Sequence, residues 1–106
     1  MALIHTCIRK SFSDAGPSLQ VLSVGQHFAV TLQCLQKGQE LAASEGDVAE
    51  TIFSVISGKG TVLEGEARHE VEVGDVVHIL PGQPKVLIAG DGTFAVLGVR
   101  HLRRRA

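Results

Sequence analysis

The clearest alternation of apolar and polar positions runs through residues 27–35. Phe28, Val30, Leu32 and Cys34 fall on one face, and Ala29, Thr31 and Gln33 on the other. A period of two over this length predicts a half-buried β-strand. Further runs rich in apolar and β-branched residues cover 19–24, 48–57, 61–64, 67–73, 76–80, 84–89 and 93–99. Turn chemistry separates them: Gly25-Gln26, Lys37-Gly38, Gly46-Asp47, Gly58-Lys59-Gly60, Gly65, Gly74-Asp75, Pro81-Gly82 and Gly90-Asp91-Gly92. Residues 2–9 (ALIHTCIR) are apolar enough for one more short strand, and 11–18 (SFSDAGPS) read as loop. No stretch has a helical period. About eight or nine short strands between turn signals predict an all-β sandwich or barrel, closed so that few edges stay open.

Composition narrows the function classes. A chain of 106 residues is the size of one domain, laid out as an N-terminal strand and loop (1–18), a barrel (19–100) and a basic tail (101–106). A domain of this size buries somewhat over ~60% of its unfolded surface, enough for one core without disulfides or structural metal. The net charge of −1 gives no electrostatic case for nucleic acid or an anionic membrane. Four Phe with no Tyr or Trp leave few stacking platforms for bases. Two cysteines, Cys7 and Cys34, are too few for a disulfide framework and read as reduced thiols. The expected location is cytoplasmic, because the N-terminus lacks a signal-peptide layout and no apolar run approaches a membrane span.

The segment from Gly38 to Lys85 carries the most specific pattern. Gly38 opens it, and Phe53-Ser54-Val55-Ile56-Ser57-Gly58 closes its first half. Gly74-Asp75, the apolar run 76–80 and Pro81-Gly82-Gln83-Pro84 form the second half. This spacing resembles the two motifs of a small single-domain cupin, an RmlC-like family. The resemblance covers roughly residues 27–100 and implies a double-stranded β-helix, or jelly-roll barrel. In that family two His and a Glu of the first motif and a His of the second hold a metal. Counted onto this chain, those His positions fall at Ser44, Gly46 and Lys85, and the Glu at Glu50 or Thr51. A transition metal needs three or four converging N, O or S donors, whereas Gly46 has no side chain and Lys85 brings a positive charge. The motifs are degenerate, and no metal or other cofactor is expected.

The resemblance places Lys85 toward the barrel centre, where its ammonium would attract a carboxylate or phosphate. Pairing with Glu50 and bending out to solvent are the competing expectations for it. His78 interrupts the run 76–80 and shares a face with Val76 and Leu80; the competing expectations are a core or interface histidine and a ligand-binding or acid–base group. A mostly apolar pocket with few polar groups would then be lined by Gln33, Ser44, Glu50, Thr51, Phe53, Val55, His78 and Lys85. The expected function is a metal-free domain that binds a small molecule, with an anion as one candidate class. A metal-dependent oxygenase or isomerase with non-standard ligands, and an assembly module with a vestigial pocket, are the alternatives. A homodimer is the expected assembly, with no nucleic-acid or membrane partner.

Overall fold

Two long strands carry the architecture. The computed structural model describes residues 3–42 and 49–102. Its elements are one helical turn, α1 (Thr6–Arg9), then β1 (Ser18–Val24), β2 (Phe28–Leu35), β3 (Glu40–Ala42), β4 (Thr51–Glu64), β5 (Ala67–Glu72), β6 (Val76–Ile79) and β7 (Lys85–His101). All pairings are antiparallel, in the order β1-β2-β7-β4-β5, with β3 added to β7 and β6 to β4. The first half of β4 pairs with the second half of β7, from Thr51↔Arg100 to Gly58↔Phe94. The pairing then resumes from Gly60↔Ala89 to Glu64↔Lys85. Between these stretches both strands bend, so each belongs to two facing layers.

The glycines of the bend were expected to end strands, and the structure corrects that expectation. Gly58 has φ 72°, a region that suits glycine, and a Cβ there would lie 1.8 Å from the Thr93 carbonyl oxygen. A Cβ on Gly60 would lie 2.4 Å from the Ile88 oxygen. Close backbone approach at irregular register is what glycine within a strand permits. The expected runs on either side of each bend therefore merge into one strand each, Thr51–Glu64 and Lys85–His101. Gly65 behaves as expected, turning tightly at φ 57° between the paired Glu64 and Ala67.

The interior is lined by Leu35, Phe53, Val55, Val62, Val71, Val77, Ile79, Leu87, Ala89, Phe94 and Val96. Each large side chain fully withdrawn from water contributes about 1.5–3 kcal/mol, so this cluster is the main stabilising element. A smaller cluster of Leu32, Cys34 and Ala95 lies on the outer face, covered by Phe12, Leu22 and Ile56. β2 is thus buried on both sides, not half-buried. Its Thr31 and Gln33 face the barrel, while Leu32 and Cys34 face the outer layer.

Residues 3–9, the described part of the expected first strand, do not supply it. Thr6–Arg9 closes one helical turn, with the Lys10 amide donating to the Thr6 carbonyl at 3.1 Å. The segment after it is tied down by side chains: Gln20 Nε2 donates to the Arg9 oxygen at 2.6 Å and Gln39 Nε2 to the Ser13 oxygen at 2.7 Å. These contacts hold Phe12 over the outer cluster. Among the described residues no helix is long and apolar enough to cross a membrane.

Candidate functional site

Because β4 and β7 bend in the middle, their far ends meet at one end of the barrel. That end is where the polar interior groups collect. Thr51 opens β4 and is buried, and its hydroxyl donates to the Ala49 carbonyl at 3.0 Å. Lys85 opens β7 in the facing layer, is only 7% exposed, and reaches the same Ala49 oxygen with Nζ at 3.3 Å. Arg100 pairs with both Thr51 and Ala29, so its side chain leaves the sheet on their buried side. Its Nε is shut off from solvent. One rung deeper, Thr31 and Phe53 flank Gly98, and Gln33 sits a further rung down beside Val96. Gln33 Nε2 donates to Thr31 Oγ1 at 2.8 Å, and the Thr31 hydroxyl reaches the Gly98 carbonyl at 3.4 Å. Beyond these residues the interior is apolar down to Phe94.

The structure brings together Gln33, Thr51, Phe53, Val55 and Lys85 on the interior faces, all of them buried. It separates Glu50 and His78 from them. His78 does share a face with Val76 and Leu80, but that face points outward, since its partner on β4 is the exposed Ile52. Its Nε2 meets Glu50 Oε2 at 2.5 Å, with both side chains about half exposed. The choice between Glu50 and Thr51 resolves in favour of Thr51 as the inward residue, and Lys85 neither pairs with Glu50 nor bends out to water. Ser44 and Gly46 lie outside the described residues, as do the last four of the tail. Arg100, Thr31 and Gly98 were missed. Arg100 stands just past the expected end of the last strand, and a glycine inside a strand, as at Gly98, was the available signal for a close approach.

Clefts also open on the outside among the described residues, two of them well formed. One, about 260 Å³, is lined by Phe28, Glu50, Ile52, Val99 and His101, with Phe28 and His101 in edge contact at 5.7 Å. The other, about 500 Å³, runs past Lys59, Thr61, Glu70, Glu72, Asp75 and Asp91. Beside it Arg68 Nε donates to Glu70 at 2.7 Å and Thr61 Oγ1 donates to it at 3.0 Å. These bonds, Arg68 first and Thr61 second, hold the Glu70 carboxyl below its ordinary 4.5.

The metal-ligand positions implied by the resemblance do not fit a metal ion. Lys85 is a buried cation, Thr51 gives its proton to a carbonyl, and Glu50 points away from the interior. No group of three or more His, Cys, Asp or Glu among the described residues could hold one.

No protein-family model matches the sequence, and none of the curated proteins does. Solved structures do match. TT1209 from Thermus thermophilus superposes with a TM-score of 0.87 at 14% identity, covering 98% of this chain and 100% of that one. An RmlC-like cupin protein from Desulfovibrio desulfuricans gives 0.81 at 20% identity over 95% and 97%. A conserved protein with a double-stranded β-helix domain from Klebsiella pneumoniae gives 0.84 at 20% over 95% and 90%. At these identities the likeness speaks for the fold, and it agrees with the bent strand pair and facing layers described above. The chain is built as a small cupin jelly roll.

Proposed function

We propose that this chain is a metal-free binding domain for a small anionic molecule, taken up at the polar end of the barrel. The observation that carries the reading is the Lys85 ammonium, buried inside the barrel beside Thr51 where the fold's relatives are implied to hold a metal cation. Lys85 is held there by the Ala49 carbonyl among its partners, and exclusion of water by a bound anion would strengthen the attraction between the two charges. Arg100 adds a second cation from the neighbouring strand. The fold by itself brings no activity with it.

The test is a titration with propionate, succinate and inorganic phosphate, read by calorimetry and thermal shift. At least one anion should raise the melting temperature of the wild type, since a ligand at 100 times its Kd adds about 2.7 kcal/mol. Lys85→Met should abolish that shift and Glu50→Gln, on the outer face, should keep it. Equal anion affinity in wild type and Lys85→Met overturns the reading.

A second reading, pairing with another copy of the chain, is favoured by the exposed apolar residues. Phe28, Ile52, Val76 and Leu80 are all solvent-facing, and β1 adds Leu19, Val21 and Val24 at the sheet edge. Exposed apolar surface of this kind, with Phe28 and Ile52 lining one cleft, marks interaction sites when it is contiguous.

A further inference from the structure

The N-terminal segment covers only part of the outer sheet face. Phe12, with Leu22 and Ile56, lies over Leu32, Cys34 and Ala95, and the Gln20 side chain ties that half to the Arg9 carbonyl. The other half is open. One rung of it reads His78, Ile52, Val99, Val30 and Ser23 across β6, β4, β7, β2 and β1. Val76 on β6 and Phe28 on β2 flank that rung, and both are exposed. The apolar side chains thus run over four adjacent strands, about 14 Å between the outer strand axes at the usual spacing. Leu19, Val21 and Val24 pair with Gln33, Thr31 and Ala29, so they lie on the opposite side of the sheet and form no part of this surface.

Glu50 stands on this open half just before β4, with His78 on β6 to one side and His101 on β7 to the other. Its Oε2 meets His78 Nε2 at 2.5 Å, and its carbonyl accepts the His101 amide at 2.9 Å. Glu50 and His101 line one cleft together with Phe28, Ile52 and Val99. The other charged or titratable groups nearby are turned elsewhere. Arg100 leaves on the buried side of the sheet, and Asp75 Oδ2 accepts the Glu72 amide at 2.8 Å. Glu64 is occupied by His69 and the Leu80 amide. Arg9 and Lys10 belong to the covering segment, and His27 lies in the turn between β1 and β2. Among the described residues, a carboxylate between two imidazoles is therefore the charge that the open half carries.

Resting on the second reading above, in which copies of the chain pair, we propose that a second copy covers this open half of the outer face, with Glu50, His78 and His101 inside the contact. A two-fold pair presents the same patch from both sides. A partner of another sequence can answer a charged face with the opposite charge. A second copy brings only like charge, and like charges set against each other cost affinity. The patch therefore has to be able to reach neutrality by itself, and this one can. One protonated imidazole cancels the carboxylate, whereas two leave an excess of positive charge. Histidine is the side chain that changes charge between about pH 5 and 8. Pairing is then tightest in the middle of that range and loosens on either side of it.

The experiment is sedimentation equilibrium of the full chain at about pH 5, 6.5 and 8, which bracket the charge change of histidine. The wild-type dimer should be at least about fivefold weaker at the acid end than at the middle value, the scale of one like-charge contact at an interface. Ile52→Arg, on the open half, should give a monomer, and Val21→Arg, on the exposed barrel side of β1, should stay a dimer. In Glu50→Gln the histidines add only positive charge, so affinity should fall steadily with acid and show no maximum. His78→Gln combined with His101→Gln should pair equally well at pH 8 and at about pH 5.5, above the ordinary carboxylate range. A dimer that survives Ile52→Arg but not Val21→Arg overturns the choice of face and leaves pairing itself standing. An unchanged pH profile in both charge variants overturns the role of the three groups. If the wild type is a monomer at all three pH values, the pairing reading falls and this proposal with it.

Discussion

Gly98→Ala tests how tightly Thr31, Gln33 and Phe53 pack around Gly98 without reference to any ligand. The new Cβ would stand 2.7 Å from Thr31 Oγ1, closer than such atoms approach, with Gln33 Nε2 and Phe53 Cε1 both at 3.2 Å. Thr31 is branched at Cβ and stiff at χ1, so it cannot swing aside without leaving the Gly98 carbonyl. Overpacking a filled core in this way costs about 1–3 kcal/mol. Against it stands a gain of about 0.4–1 kcal/mol from the stiffer unfolded chain, available because Gly98 is not in the left-handed region. The net loss is then on the order of 1–2 kcal/mol, a fall in melting temperature of roughly 4–16 °C at this size. Urea denaturation should report it as a lower midpoint at unchanged slope. Gly92→Ala is the control, since its Cβ meets nothing within 4 Å. Combined with Thr31→Ala, the Gly98→Ala penalty should shrink by about 0.5–1 kcal/mol, the coupling expected of residues in contact. If Gly98→Ala is as stable as Gly92→Ala, the contacts around Gly98 are not packed as described.

Two further outcomes are expected. Sedimentation at micromolar concentration should give a dimer, and Phe28→Ser with Ile52→Ser should return it to monomer; a wild type that sediments as a monomer refutes the pairing. For Glu70, whose carboxyl is held below 4.5 by Arg68 and Thr61, the linked stability is present above the unfolded value and lost as pH falls through the folded one. The Glu70 carboxyl should therefore titrate below 4.5 by NMR, and Arg68→Met should move its midpoint upward; an unmoved midpoint refutes the assignment.

Turn residues, alternation and the joint spacing of Gly-Asp and Pro-Gly made the all-β fold legible. What alternation could not give was which face of a strand looks inward. In β6, Val77 and Ile79 are as apolar as Val76 and Leu80, so the pattern was symmetric and His78 could be sent either way. β2 had the same ambiguity in another form, with cores on both sides: the polar pair Thr31 and Gln33 went to the barrel and Leu32 and Cys34 to the outer layer. Glycine misled in the long strands, because the residue that ends a strand is also the residue that lets one bend. The one-residue doubt between Glu50 and Thr51 was a doubt about register, and only pairing with Ile79 and Arg100 resolves it.

The place of β7 in the sheet has a consequence for how the chain reaches its shape. It is the last described strand to leave a ribosome, and β2, β3 and β4 all depend on it for a neighbour. Before it emerges, β4 has only its hairpin with β5 and its pairing with β6, and β2 has only β1. Vectorial synthesis therefore cannot close the barrel piece by piece: the nascent polypeptide carries open edges until β7 zips in, the situation in which non-local topologies fold slowly and need shielding from one another.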